Sequence, residues 1–385
     1  MKRIYFDYAA TTPADPEVIK AMLPYFSENF GNPSSLHYFG RQANNAVENA
    51  RSAAAGFIGA EPEEIIFTSG GTESDNFALK GVAYGNSSKG KHIITSNIEH
   101  HAILKSCQFL EKNGFKVTYL PVESNGILNP DVVKKAITKD TILISVMHAN
   151  NEIGSIQPIR EIGKIAKESD IYFHVDAVQS FGHIPIRVDD INIDLLSASA
   201  HKLYGPKGVG LLYIKKGTRI QPFMNGGDQE RKLRASTHNV TGIVGFGKAI
   251  ELACKNMKSE AEFLTELRDK LINSVMANID NVKLNGDSLQ RLPNNANFSI
   301  RFVEGEGMVL GLDLEGIAVS SGSACTSGSL EPSHVLRAIG RSADLAHGSV
   351  RFSLGKFNTG EEIDYALDKF IKIVHKLRKM SPLIK

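Results

Sequence analysis

The residues best placed to do chemistry are a lysine, an acid, a histidine and a glycine- and hydroxyl-rich turn, each expected at the carboxyl end of a strand. Lys202 lies in Ser199-Ala200-His201-Lys202-Leu203-Tyr204-Gly205-Pro206, between the apolar run Ile191–Leu196 and the strand-like Val209–Ile214. A lysine held among small residues at a strand end is partly dry, and desolvation lowers an amine's pKa and frees its lone pair for carbonyl chemistry. Asp176 closes the apolar run that begins at Ile171. A carboxylate there is costly unless it meets a cation, and capping the next helix is its competing role. His100, in Glu99-His100-His101-Ala102, reads as a ring-stacking partner or a satisfied core histidine. A metal is disfavoured, because no second ligand stands at helical spacing from it. Ser69-Gly70-Gly71-Thr72-Glu73-Ser74 follows Ile65-Ile66-Phe67 and opens a helical run. Glycines let a backbone approach an anion, and helix-start N–H groups with hydroxyls make a phosphate cup; a plain Ser/Thr cap is the simpler alternative.

Ligands of open α/β sheets bind at the carboxyl ends of strands. A phosphate cup, a ring stacker, a strand-end acid and a strand-end lysine, in that order on successive units, describe a site for pyridoxal phosphate (PLP). The lysine meets the aldehyde, and the acid keeps the ring nitrogen protonated so that the ring acts as an electron sink. Gly85-Asn86-Ser87-Ser88-Lys89-Gly90-Lys91-His92 nearly fits a P-loop, but it ends in His and leads into a strand. Nucleotide binding is therefore rejected.

The elements that must position these residues alternate. Strands are expected at 64–67, 92–95, 116–121, 141–148, 171–176, 195–199 and 209–214, with helices between most of them, which predicts a mainly parallel sheet wrapped on both faces. Helices are expected at Pro16–Phe26, Gly40–Ile58 and, as one or two long segments, from Val240; a mixed α+β pattern with strands near 297–302 and 348–353 and a last helix from Glu361 then follows. The chain has 385 residues, 42% hydrophobic and 22% charged, with a net charge of +2. That is the profile of an ordinary globular enzyme of two unequal domains, with no concentrated basic face for nucleic acid and no apolar run of membrane-spanning length. An acidic residue interrupts the N-terminus before any signal-peptide core, and Cys107, Cys254 and Cys325 form no CxxC pair. Neither disulfides nor a metal site are indicated, and a cytoplasmic location is expected. Cys107 and Cys254 fall on helical patterns and read as packing. Ser320 to Gly328 is nearly all Gly, Ala, Ser and Thr around Cys325, the composition of a mobile loop carrying a reactive thiol.

End to end, the chain resembles the cysteine desulfurases of the iron–sulfur-cluster and nitrogen-fixation type, class-V aminotransferases of the fold-type I PLP superfamily. The motifs are Asp7-Tyr8-Ala9-Ala10-Thr11-Thr12-Pro13, Phe30-Gly31-Asn32-Pro33-Ser34-Ser35, Ser69-Gly70-Gly71-Thr72-Glu73-Ser74, Asn150-Asn151-Glu152-Ile153-Gly154, His174-Val175-Asp176-Ala177-Val178-Gln179-Ser180, His201-Lys202-Leu203-Tyr204-Gly205-Pro206-Lys207-Gly208 and Ser321-Gly322-Ser323-Ala324-Cys325. The resemblance implies PLP as cofactor, a large domain over 15–257, and a smaller α+β domain from 1–14 with 258–385 that carries the Cys325 loop. By the same resemblance Lys202 is the Schiff-base lysine, Asp176 the partner of the ring nitrogen, and His100 the ring stacker and a proton shuttle. Gly71, Thr72, Ser199 and His201 hold the phosphate, with Thr237 reaching the phosphate in the other subunit of a homodimer. Gln179 and Asn151 meet the phenolic oxygen, Asn151 alternatively the substrate carboxylate, and Arg351 clamps that carboxylate. Cys325 takes sulfur from L-cysteine, leaving alanine, and passes it to an acceptor such as an iron–sulfur scaffold, for whose cluster Cys325 is a candidate transient ligand. A selenocysteine lyase or another fold-type I lyase or aminotransferase is the alternative. Asp228 stands where Gly is common, and Ser236 and His238 where Gly and Glu are more usual; these departures bear on the Thr237 contact.

Overall fold

The computed structural model describes residues 3–321 and 332–381. Its largest sheet has seven strands, in the order Ile65–Thr68, Gly210–Ile214, Leu195–Ser199, Tyr172–Asp176, Thr141–Met147, His92–Ser96 and Lys116–Leu120. Gly210–Ile214 runs antiparallel to both of its neighbours, and the remaining pairs are parallel. The reason is local. The connection after Ser199 is too short for a parallel crossover, so the chain must turn back on itself. Lys202 lies in that reversal.

Both faces of the sheet are buried along its central strands, which explains why these are largely apolar runs instead of alternating. Ile94, Ile144, Leu196 and Leu211 point into one core. Their neighbours Ile93, Leu143, Leu195 and Leu212 point into the other. Each such side chain contributes about 1.5–3 kcal/mol by leaving water, so the strand register is fixed tightly. Because the parallel strands share a direction, Thr68, Ser96, Met147, Asp176 and Ser199 end at one edge of the sheet, where the predicted chemistry was placed.

A smaller antiparallel sheet joins Ser320–Ser321, Ser349–Ser353, Asn295–Ile300 and Val282–Asn285, and Ile4–Tyr5 pairs in parallel with Ile317–Ala318. It has its own core, from Phe6, Leu271, Phe298, Phe352 and Phe370. The expected α/β architecture, a mainly parallel sheet flanked by helices with a smaller α+β part, is what is found. Between the two parts runs one helix, Val240–Asn278, of 39 residues. Its first half gives Ile243, Phe246 and Ile250 to the large core and its second half gives Leu264, Leu271 and Val275 to the small one.

Two expectations are corrected. Pro16–Phe26 is not one helix but Pro16–Met22 followed by Pro24–Ser27, because Pro24 has no N–H to continue the ladder and restricts Leu23. Cys254 does not pack: it is exposed, whereas Cys107 is buried as expected. Cys254 occupies the outward side of the long helix where the two cores no longer cover it.

Candidate active site

A cavity of about 300 Å³ opens at the carboxyl edge of the large sheet, and Gly71, Thr72, His100, Asn151, Asp176, Gln179, Ser199, His201, Lys202 and Arg351 all line it. The structure thus brings together nearly every candidate. Thr237 is exposed and is not part of the lining. Cys325 lies outside the described residues. The described chain on one side ends at Ser321, paired with Val350 beside Arg351, and on the other Ser333 donates a hydrogen bond to Glu152 at 2.5 Å.

Lys202 ends a single 3₁₀ turn, Ala200–Lys202. Its Nζ donates to the carbonyls of Ala9 and Ala10, each at 2.7 Å. The opening segment of the chain is therefore a wall of the site. Thr12 clamps it there, with its N–H and hydroxyl both donating to His201 O at 3.0 Å while Tyr204 N donates to Thr12 Oγ1 at 2.8 Å. The turn is tight enough that a Cβ at Gly205 would lie 2.8 Å from Ala200 O, which is why glycine follows Tyr204 there.

Asp176 lines the cavity and caps no helix: turns follow it and the next helix begins only at Val188, so the expected competing role is absent. Its Oδ1 instead closes the turn by accepting from Val178 N at 2.9 Å. Burial pushes its carboxyl up to about 6, against the lowering influence of that N–H and of Lys202. Behind it stands a residue the sequence reading missed. Asp75 also lines the cavity, is fully buried, and has an Oδ1 with no hydrogen-bond partner among the described residues. Burial and the neighbouring Asp176 charge raise its carboxyl well above the usual range. The available signal was its spacing: Asp75 is one turn beyond Gly71 and Thr72, on the same helix face.

His100 caps the helix His101–Lys112, its Nδ1 accepting from Ala102 N at 3.2 Å. Burial, then the charge of Lys202, pushes the ring down to about 4, so it is neutral near pH 7. With Nδ1 accepting, the ring proton is on Nε2. Such a ring offers a flat face and one donor.

The anion end is built by exclusion. A Cβ at Gly71 would meet Val178 Cγ2 at 2.6 Å, so only glycine lets the helix start approach. Ser74, by contrast, turns inward, bonding Thr68 Oγ1 at 2.8 Å and Leu211 O at 2.8 Å; it holds the helix to the sheet and does not face the cavity. At the far wall Arg351 is buried, with Nη1 donating to Asn151 O at 2.9 Å and Nη2 to Asp7 Oδ1 at 2.8 Å. Its Nε has no partner among the described residues. Asn151 is placed by its neighbour, since Asn150 Oδ1 accepts from Glu152 N and Ile153 N at 2.9 and 3.0 Å.

These observations fit PLP. An acid is buried where a ring nitrogen would need one, an amine stands beside it, a Cβ-free helix start suits the phosphate, and a buried arginine has an unused donor. No group of three His, Cys, Asp or Glu residues able to hold a metal occurs among the described residues.

Known proteins resemble this chain over nearly its whole length. The family model described as aminotransferase class-V matches residues 4–366. The chain is 62% identical over 383 residues to the cysteine desulfurase IscS of Dictyoglomus turgidum, covering 99% of this chain and 97% of that one. It is 59% identical over 384 residues to the cysteine desulfurase IscS of Clostridium botulinum, covering 99% and 97%. Among solved structures, a NifS-like protein superposes with a TM-score of 0.92 at 40% identity, over 97% of this chain and all 100% of that one. A structure described as SspA in complex with cysteine gives 0.81 at 40% identity, over 93% and 100%.

Proposed function

This chain belongs to the aminotransferase class-V family, and we propose that it acts as a PLP-dependent cysteine desulfurase of the fold-type I class. It takes sulfur from L-cysteine, releasing L-alanine and leaving a persulfide on Cys325. The observation that carries this reading is the convergence of Lys202, Asp176, His100 and Arg351 on one cavity, in a chain whose relatives bear that name. The direct test is mass spectrometry of the purified protein after adding cysteine. The Cys325 peptide gains one sulfur atom and alanine appears; alanine without a sulfur-bearing Cys325 would leave a different lyase.

When bound, PLP supplies an electron sink that weakens the bonds around the substrate's α- and β-carbons. The protein does the rest. Lys202 Nζ is the amine for the cofactor's aldehyde and afterwards a carrier of protons at the substrate carbon. Gly71, Thr72, Ser199 and His201 receive the phosphate, and Gln179 and Asn151 the phenolic oxygen. His100 covers the ring face and holds a proton at Nε2. Asp176 pairs with the ring nitrogen. Asp176→Asn keeps the shape and loses the charge, so PLP remains bound while turnover falls about 100-fold, the size of a charge-assisted pair worth on the order of 3 kcal/mol. Unchanged alanine production would mean that another group protonates the ring.

Arg351 receives the substrate carboxylate through its unused Nε and the adjacent Nη edge, since Asn151 O and Asp7 already fix the plane of the guanidinium. Arg351→Lys keeps the charge but cannot satisfy both partners and still present two parallel donors. Its loss is expected in cysteine binding, about 2–5 kcal/mol in kcat/KM, with PLP content intact. A KM equal to the parent's would show that the carboxylate is anchored elsewhere.

Cofactor and sulfur chemistry divide between a large unit, 15–257, and a smaller one, 1–14 with 258–385. The working form is a cytoplasmic homodimer in which Thr237 reaches the partner's cofactor phosphate. In support, Thr237 is exposed and outside its own cavity. Close to its segment runs a stretch rich in exposed apolar residues, Leu23, Phe26, Phe30, Leu36 and Tyr38, and such a patch on a soluble enzyme marks a face to be covered. Cys325 then hands its sulfur to an acceptor protein such as an iron–sulfur scaffold.

A further inference from the structure

The segment that carries Thr237 is held by a buried hub outside the cavity. The Glu230 carboxylate accepts from Arg51 Nη1 and Nη2, from Phe67 N and from His238 Nε2, all at 2.8 Å. Burial alone would raise this carboxyl, yet Arg51 and His238 hold it down to about 2. The backbone around it is strained: Glu230, Arg231 and Lys232 have φ of 42°, 55° and 65°, and Ser236 has 100°. Residues other than glycine adopt such angles only where surrounding contacts over-determine them. A second tie runs parallel to the first, with Arg234 Nε donating to Glu73 Oε1 at 2.8 Å and Glu73 Oε2 accepting from Ser69 N at 2.8 Å.

The two ties end on either side of the strand-to-helix junction of the same chain, one on the strand at Phe67 and the other on the phosphate turn at Ser69. The threonine they frame is nevertheless exposed and does not line that chain's own cavity. His238 is next to Thr237, and its ring makes a single polar contact among the described residues, to Glu230, leaving the buried Nδ1 without a partner. A ring that sacrifices one nitrogen to fix the other is serving position. Arg51 and Phe67 would keep Glu230 in place without it, so the freedom that His238 removes is that of Thr237.

We propose that His238, clasped to Glu230, is a positioning residue that sets Thr237 against the cofactor phosphate of the partner subunit. This rests on the cross-subunit reading of Thr237 given above. It also gives a role to a residue that departs from the usual pattern.

The test uses mixed holo-dimers of two differently tagged chains, one carrying Lys202→Ala so that each dimer has one site with its lysine. Cofactor loss from that site is followed by its visible absorbance during dilution. With His238→Leu on the Lys202→Ala chain, the intact site loses PLP about tenfold faster, as expected for one displaced hydrogen bond to a phosphate. With His238→Leu on the other chain, the loss is parental. His238→Gln, whose amide reaches Glu230, restores retention in the first arrangement. If the leucine chain does not fold, His238→Asn, which falls short of Glu230, replaces it. Accelerated loss in the second arrangement would overturn the proposal by showing a structural role in the chain's own site. So would parental loss in both, provided that Thr237→Val on the Lys202→Ala chain speeds release. If Thr237→Val has no such effect, or the chains form no mixed dimers, the cross-subunit reading has failed and the proposal falls with it.

Discussion

Lys202→Ala is expected to abolish alanine production without unfolding the chain. The lysine's Nζ meets the carbonyls of Ala9 and Ala10, so its loss leaves two acceptors at the rim of a cavity that water can enter. Unsatisfied groups of that kind cost about 1–3 kcal/mol when buried, less when wetted, against a total stability typically about 5–15 kcal/mol. Thr12 still ties the opening segment to His201 and Tyr204 through hydrogen bonds of 2.8–3.0 Å, which holds the wall in place. Function has no such reserve. The same nitrogen anchors the cofactor and moves the substrate proton, and losing one positioned acid–base group already lowers rates by about 10²–10⁴-fold. The variant should hold PLP only through its phosphate and ring contacts, and shed it on dialysis. Thermal melting checks the fold and alanine release checks the chemistry. A variant that melts like its parent and still makes alanine at the parental rate would remove Lys202 from the mechanism.

Asp176 was legible from sequence because an acid at the end of an apolar strand is conspicuous wherever the strand is placed. The same holds for Lys202, whose flanking glycine and proline announce a turn. Asp75 was not. It stands inside an ordinary helical run, and its burial depends on the sheet residues His174 and Ser197 that are far away in sequence; His174 Nε2 is 3.8 Å from its Oδ1. Cys254 shows the opposite failure. Its apolar neighbours suggest packing, but the helix that carries it spans two separate cores, and periodicity cannot tell where one core ends. The Glu230 hub was hidden for a third reason: it joins Arg51, Phe67 and His238 through a backbone of positive φ, a conformation that the residues Glu-Arg-Lys do not signal.

Cys325→Ser is expected to stop the reaction after cysteine has bound. The thiolate is the sulfur nucleophile, and a free thiol with a pKa near ~8.5 supplies only a minor fraction of it at neutral pH, so the parent already depends on proton removal. His100 cannot take that proton at Nε2 in the state described, because its Nδ1 is engaged by Ala102 N and the ring proton is on Nε2; it first has to give that proton up. Serine keeps the size of the side chain but is a far weaker nucleophile toward sulfur. The variant should retain PLP and show the parent's spectral shift on adding cysteine, since Lys202, Asp176 and Arg351 are untouched. It should then form neither persulfide nor alanine, with turnover down by at least about 10²-fold, the lower bound for losing one positioned catalytic group. Cys107→Ser and Cys254→Ser provide the contrast. Cys107 is buried in the core on the far side of the sheet, where burial pushes its thiol well up, and Cys254 is exposed on the long helix. Neither lines the cavity, so both variants should transfer sulfur as the parent does, with Cys107→Ser somewhat less stable. Alanine at the parental rate from Cys325→Ser would mean that sulfur leaves without passing through this thiol, and a simpler PLP lyase would then describe the protein better.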